Sequence, residues 1–204
     1  MDGVKNLIID FGGVIINLAR NRCIDAFEKL GVDVRDKLIN NYQHKDLFMQ
    51  LELGTITASQ FREGIRHLTQ QCLTDTEIDT AWIAMLDEVD TWKLDLLLEQ
   101  QKQYNIMLLS NTNVIHWHWS EKNIFSYKGH TPADFFSKIY LSYELHKLKP
   151  NTDIFEYVLN DAAIEAGETL LIDDALVNCH AAASLGIRTY MPEPREDWSS
   201  LFKR

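Results

Sequence analysis

The chain has 204 residues, of which 46% are hydrophobic, 20 are basic and 30 are acidic, giving a net charge of -10. This size predicts one enzyme-sized core with room for a small accessory domain. The acidic balance excludes nucleic acid and anionic membranes as expected partners, although a bound cation could still attract a small anionic substrate. Three scattered cysteines (Cys23, Cys72 and Cys179) and no long apolar run predict a cytoplasmic protein without disulfides or membrane spans.

Short apolar runs alternate with helical patterns along most of the chain. The runs cover residues 4–9, 106–109, 138–141, 169–172 and 187–190. Helical patterns lie between them, at residues 93–104, 154–162 and 178–185. This alternation predicts an α/β fold with a parallel sheet and helices on both faces. In such sheets ligands bind at the carboxyl ends of the strands.

Residues 18–87 interrupt this alternation. The segment contains no convincing strand, and its amphipathic patterns predict helices at residues 21–30, 58–68 and 75–86. Gly31 suits the end of the first helix, while Thr57 followed by Gln60 has the spacing of a capping box. We therefore expect a helical domain at 18–87, inserted into a core formed by 1–17 and 88–204.

Asp10 ends the first predicted strand and is followed by Gly12 and Gly13. The glycine pair allows backbone N–H groups to approach an anion closely, so Asp10 and this loop are a candidate nucleophile and phosphate-binding site. The alternative is an acid that caps a turn, and for a lone strand-end aspartate that alternative is favoured.

Two further sites have polar residues that could contact a phosphate. One follows the second predicted strand, and the other lies just before a proline later in the chain. Ser110 and Asn111, in LLSNTN, could donate hydrogen bonds to phosphoryl oxygens or simply close a turn. Lys149, set in an extended conformation before Pro150, could neutralise a phosphate, with Lys147 as a nearby competitor.

The adjacent acids Asp173 and Asp174 follow the fourth apolar run. Two like charges at a strand end repel each other and favour a divalent cation. Oxygen ligands suit magnesium best, so the pair predicts a Mg²⁺ site rather than an ordinary turn.

Taken together and in this order, the motifs resemble those of the haloacid dehalogenase superfamily. The stretches IIDFGGVI, LLSNTN, YLSYELHKLKP and LLIDDALVN, with LELGTITASQF, are similar to the bacterial branch that includes an α-glucose-1-phosphate phosphatase. The resemblance covers nearly the whole chain. It implies a Rossmann-like core sheet with a small helical cap after the first strand, and a phosphatase acting on a small phosphorylated metabolite.

The resemblance also implies a role for each motif residue. Asp10 would be the nucleophile that forms an aspartyl-phosphate, and Lys149 would stabilise charge around the transferring group. Ser110 and the backbone of Asn111 would hold the phosphoryl group. The ligands of Mg²⁺ would be Asp10, the Gly12 carbonyl, Asp174 and Asp173, the last directly or through water.

The sequence departs from that family at Gly12, where most phosphatases of the superfamily have a general acid. Loss of general acid catalysis costs about 10² to 10⁴ in rate. The substrate could have a good leaving group, such as an anomeric sugar phosphate, or His44, His67 or His116 could supply the proton. His116 is also a candidate substrate-binding residue. The remaining alternatives are a non-catalytic binding protein and a dehalogenase, which needs no proton donor.

Overall fold

A computed structural model describes residues 1–34 and 47–202. Its centre is a parallel sheet of five strands in the order β3-β2-β1-β4-β5. The strands are β1 (Asn6–Ile9), β2 (Asn105–Ser110), β3 (Lys138–Leu141), β4 (Thr169–Ile172) and β5 (Arg188–Tyr190). The predicted α/β class and parallel sheet are confirmed. Because β1 lies between β2 and β4, the motifs that end these three strands share one edge of the sheet.

Helices cover both faces of the sheet. Alternate residues of β1 face opposite sides: Leu7 and Ile9 belong to one apolar cluster, and Ile8 belongs to the other. The helices of this core are α5 (Thr91–Gln100), α6 (Val114–Asn123), α7 (Pro132–Phe135), α8 (Ser142–Leu145), α9 (Thr152–Ala162) and α10 (Leu176–Ser184). None of the helices within the described residues is long and apolar enough to cross a membrane.

The segment between β1 and α5 contains helices and no strand among its described residues. These helices are α1 (Arg20–Lys29), α2 (Leu47–Glu52), α3 (Ala58–Thr69) and α4 (Asp75–Ile83). They enclose an apolar cluster of their own, in which Phe27, Phe48 and Trp82 pack ring against ring. The packing supports the predicted helical domain at 18–87, which we retain as a proposal.

The ends of the helices differ from the predictions in places. The capping box at the start of α3 forms as expected, since the Thr57 hydroxyl accepts from the Gln60 backbone N–H. The prediction of helix for residues 84–86 is wrong, because α4 ends at Ile83 and Leu86 pairs with Leu18 in an antiparallel bridge. That bridge returns the chain to the core.

Candidate active site

Three carboxylates meet at the carboxyl edge of the sheet. Asp10 follows β1, where its backbone N–H donates to the Ile172 carbonyl at 2.9 Å and fixes it against β4. Asp173 and Asp174 follow β4 directly. One oxygen from each of the three carboxylates lies within 4.8 Å of the other two. The structure therefore brings together residues that are more than 160 positions apart in the sequence.

Lys149 supplies the positive charge beside this acidic cluster. Its side chain is 1% exposed, and its Nζ lies 2.9 Å from Asp10 Oδ1 and 2.6 Å from Asp173 Oδ2. Its Nζ also donates hydrogen bonds to the Leu109 carbonyl at 3.0 Å and to Asp173 Oδ2, while the contact with Asp10 is an ion pair. Burial opposes the charge on Lys149, but the attraction of Asp10 and Asp173 outweighs burial and raises its pKa. The lysine is held charged against the predicted nucleophile.

Lys147, the competing candidate, has a different environment. Its Nζ pairs with Asp153 at 2.5 Å, and its side chain is 31% exposed. That pair is at the surface, where it contributes little to the site. Of the two lysines in the motif, Lys149 is the one that the structure joins to the acidic cluster.

Asp173 is almost saturated with hydrogen bonds. Its Oδ1 accepts from the Ala175 backbone N–H and from Asn178 Nδ2, both at 2.9 Å. Its Oδ2 accepts from Lys149 and again from Asn178, at 3.1 Å. A carboxylate has about four acceptor positions, and these contacts use them. We infer that Asp173 positions Lys149, and that Asp174 is the better direct metal ligand.

Asn178 ends the stretch LLIDDALVN but has no role predicted from the sequence. It lies on the first turns of α10, five residues after Asp173, where its amide reaches both oxygens of that carboxylate. The sequence feature that could have indicated its role is an amide side chain close to the acidic pair Asp173 and Asp174. Helical periodicity alone does not say that this side chain turns back toward the strand end.

The charges of the cluster fit a divalent cation. Burial raises the pKa of Asp10 to about 7, with a further rise from Asp173 and Asp174 that Lys149 partly offsets. Burial, followed by repulsion from Asp173, also raises the pKa of Asp174. Lys149, together with the weaker attraction of Arg20 for Asp174, does not compensate three converging carboxylates. A Mg²⁺ ion would supply the missing positive charge, and the donors are the oxygens it prefers.

The glycine pair contributes backbone to the same place. No hydrogen bond among residues 1–34 and 47–202 ends on the Gly12 carbonyl, which leaves this oxygen available to a cation. Gly13 has a φ of 82°, and a Cβ there would lie 2.1 Å from Asp174 Oδ2. Only glycine fits at residue 13, because a side chain would displace the metal-facing carboxylate.

Gly12 is under no such constraint. A Cβ at this position would meet the end of the Leu18 side chain at 3.2 Å, a contact that a small shift relieves. The backbone of residue 12 therefore tolerates a side chain. The missing general acid is a feature of this sequence and not a requirement of the fold.

Ser110 and Asn111 both lie where the sequence predicts, at the end of β2. The Ser110 hydroxyl has no hydrogen bond within the described part of the chain. The Asn111 side chain pairs with the backbone of Lys149, donating to its carbonyl at 2.9 Å and accepting from its N–H at 3.0 Å. This pairing orients Lys149 and leaves only the backbone of Asn111 for the predicted phosphoryl contact.

His116 lies between α6 and α4, away from these contacts. Its ring stacks on Trp82 at 4.5 Å, and its Nε2–H donates to the Trp82 carbonyl at 3.0 Å. Burial lowers its pKa to about 4, against the effect of that hydrogen bond. A neutral, buried imidazole is a poor proton donor at neutral pH. These contacts favour a packing role over the predicted substrate or acid role; His67 is exposed on α3, and His44 lies outside the described residues.

The buried imidazole predicts acid sensitivity. In the unfolded chain His116 takes up a proton near pH 6.5, whereas in the folded protein it does so only near pH 4. Its contribution to stability is complete above pH 6.5 and is lost as the pH falls through that interval, by about 2 kcal/mol at pH 5. Urea unfolding at pH 7 and pH 5 should show a smaller loss for His116→Gln than for wild type. If the two proteins lost the same free energy of unfolding between pH 7 and pH 5, the acid sensitivity would not come from His116.

A cavity of about 590 Å³ opens beside the acidic cluster. Gly13 and Asp174 are among the residues that line it. Residues at the start of the helical segment, including Arg20 and Arg22, and residues near the C-terminus, including Arg195, form the rest. The volume is within the range of small-molecule sites. Because Asp174 lines it, the cavity adjoins the acidic cluster.

Known proteins with similar sequences define the family. The model of the haloacid dehalogenase-like hydrolases matches residues 120–191. The chain is 38% identical to D-ribitol-5-phosphate phosphatase of Bacteroides thetaiotaomicron over 195 residues, which are 96% of this chain and 95% of that protein. The chain belongs to the haloacid dehalogenase-like hydrolases. The predicted resemblance and the prediction of a hydrolytic enzyme are confirmed.

Solved structures agree with this assignment. A haloacid dehalogenase family enzyme from B. thetaiotaomicron, crystallised with magnesium and inorganic phosphate, has a TM-score of 0.92 and 47% identity, covering 98% of this chain and 100% of the other. A HAD-like family hydrolase from Porphyromonas gingivalis has a TM-score of 0.89 and 33% identity, covering 98% of each chain. The first of these structures therefore contains both magnesium, the ion expected here, and phosphate, the anion expected here.

Proposed function

We propose that this hydrolase is a magnesium-dependent phosphatase that forms an aspartyl-phosphate on Asp10. The observation that carries the proposal is the contact of Lys149 with both Asp10 and Asp173 beside the outward-facing Asp174. The arrangement gathers a nucleophile, a fixed cation and oxygen ligands for a metal around one point. Phosphoryl transfer needs this combination, because its catalysis is mainly positioning and charge stabilisation.

Each residue then has a defined task. The free Asp10 oxygen attacks phosphorus and the P–O bond to the alcohol breaks, with the departing oxygen taking a proton from water. A further water later hydrolyses the acyl phosphate, which regenerates Asp10 and releases inorganic phosphate. Lys149 holds the Asp10 carboxylate in place, and the unpaired Ser110 hydroxyl can donate to a phosphoryl oxygen. When bound by Asp10, Asp174 and the Gly12 carbonyl, Mg²⁺ supplies positive charge to the phosphoryl oxygens.

The proposed substrate is a small sugar or polyol phosphate. The curated relative at 38% identity is named for D-ribitol 5-phosphate, whose phosphate is on a primary alcohol. The leaving group of such an ester is poorer than that of an anomeric phosphate. We therefore extend the substrate class from anomeric sugar phosphates, such as glucose 1-phosphate, to polyol phosphates.

The dehalogenase alternative explains less of the site. Halide displacement at carbon uses a strand-end aspartate but needs no metal, so it gives no reason for Asp174 to converge on Asp10 and Asp173. The relative at 38% identity is a phosphatase. Both observations favour attack at phosphorus.

We expect phosphate release that depends on magnesium. Purified enzyme should hydrolyse at least one of D-ribitol 5-phosphate, glucose 1-phosphate and ribose 5-phosphate with Mg²⁺ present. Chelation with EDTA should lower the rate by at least about 100-fold, because the converging carboxylates then lack their counter-charge. A colorimetric phosphate assay measures both rates, and restored Mg²⁺ should restore activity.

The same preparation should release no halide from 2-chloropropionate, which tests the dehalogenase alternative directly. Phosphate release that is equally fast in EDTA would remove the metal from the proposal. Halide release without phosphate release would replace the proposal with the alternative.

A further inference from the structure

Asp87 is a buried carboxylate that lines the same cavity as Gly13. It lies where the chain returns from the helical segment to the core, and its backbone N–H donates to the Asn17 carbonyl at 2.9 Å. Its side chain is 6% exposed and lines the cavity together with Asp174. Nothing in the local sequence pattern distinguishes it from an ordinary loop acid.

Two guanidinium groups flank Asp87. Arg195 Nη2 donates to Asp87 Oδ2 at 3.0 Å. Arg22 Nη1 lies 2.9 Å from Oδ1, but without the angle that a hydrogen bond requires. Within residues 1–34 and 47–202, Oδ1 therefore has no hydrogen-bond partner although it is buried. Oδ1 is therefore ion-paired with Arg22 but accepts no hydrogen bond from the described residues, which leaves it able to accept one from a ligand or a water molecule.

We propose that Asp87 and the arginines beside it form the subsite that recognises the hydroxyl groups of the substrate. The proposal rests on the proposed phosphatase function and specifies its substrate class as a phosphorylated polyol or sugar with hydroxyls on adjacent carbons. One hydroxyl donates to Asp87 Oδ1. The oxygens of neighbouring hydroxyls accept from Arg22 or Arg195, whose side chains are 64% and 67% exposed and can adjust.

The chemistry of the cavity selects hydroxyls over a second anionic group. A carboxylate or phosphate at this position could pair with the arginines of the cavity, but it would face the two acids Asp87 and Asp174 and could donate no hydrogen bond to Asp87 Oδ1. An apolar group would leave that oxygen buried and unpaired. Adjacent hydroxyls are both donors and acceptors, so they match the carboxylate and the guanidinium groups at once.

The test compares a substrate that has hydroxyls with one that lacks them. For Asp87→Ala, we expect kcat/KM for D-ribitol 5-phosphate to fall about ten- to a hundredfold, mainly through KM, which is the usual effect of losing a hydrogen bond to a charged group. For phenyl phosphate, kcat/KM should change less than about twofold. Asp87→Asn, which keeps one acceptor oxygen, should give an intermediate loss for D-ribitol 5-phosphate only.

Asp79→Ala is the matched control, because Asp79 also pairs with an arginine of the helical segment, Arg62 at 2.7 Å, but does not line the cavity. Asp79→Ala should leave unchanged the ratio of kcat/KM for D-ribitol 5-phosphate to kcat/KM for phenyl phosphate. Equal losses for both substrates in Asp87→Ala, or no loss for either, would overturn the subsite.

A wild-type enzyme that hydrolyses neither these two esters nor glucose 1-phosphate and ribose 5-phosphate would refute the proposed function instead. Calorimetric titration of D-ribitol 5-phosphate with Mg²⁺ then decides the subsite separately. Weaker binding to Asp87→Ala than to wild type supports it, and equal affinities, including no binding to either, overturn it.

Discussion

Asp10→Asn should lower phosphate release by about 10⁴-fold while the protein remains folded. The amide has nearly the shape of the carboxylate but is not a nucleophile, so the first bond to phosphorus cannot form. Burial already disfavours the charged form of Asp10 and raises its pKa to about 7, which makes a neutral side chain tolerable at this position. Steady-state phosphate release, with circular dichroism for folding, measures the effect.

The control is Asp95→Asn, which alters a surface pair with Lys128 at 2.6 Å and should retain full activity. The intermediate has a test of its own. Wild-type enzyme quenched with acid during turnover should contain a fraction of protein heavier by one phosphoryl group, which Asp10→Asn lacks. Undiminished hydrolysis by Asp10→Asn would remove Asp10 from the mechanism.

The sheet could be predicted from sequence because its strands are short apolar runs that stop at polar residues. The run that ends at Ile172, for example, is completely buried and is followed at once by Asp173. The ends of the helices could not be predicted as well. Residues 84–86 continue the apolar pattern of α4, yet the pairing of Leu86 with Leu18 takes them out of the helix. A local pattern contains no information about that distant partner.

The acidic cluster could also be predicted, since parallel strands place their carboxyl ends together. The roles of the residues around the acidic cluster could not be predicted in the same way. The phosphoryl contact of the Asn111 backbone remains a prediction, but the sequence did not show that the Asn111 side chain holds the backbone of Lys149, 38 residues later. His116 was expected to titrate near neutral pH, but stacking against Trp82 buries it and lowers its pKa. For both residues the sequence shows which chemistry the side chain can perform, but its role depends on neighbours in space that the sequence does not show.

Lys149→Met should destabilise the protein as well as inactivate it. Methionine fills a similar volume but removes the cation between Asp10 and Asp173, so two buried carboxylates are left facing each other. Removing one partner of a buried ion pair costs about 3–5 kcal/mol. The free energy of unfolding, measured in urea with EDTA present, should fall by this amount. Added Mg²⁺ should stabilise this variant, because it returns positive charge to the same carboxylates.

Lys147→Met provides the comparison, since it deletes a lysine two residues away whose partner, Asp153, is at the surface. The expected change in the free energy of unfolding is below about 1 kcal/mol. A similar small change for Lys149→Met would mean that Asp10 and Asp173 do not depend on Lys149 for their charge balance. In that case Lys149 could not be the fixed cation of the proposed site. The contact of Lys149 with Asp10 and Asp173 would then no longer distinguish this active site from an ordinary strand edge.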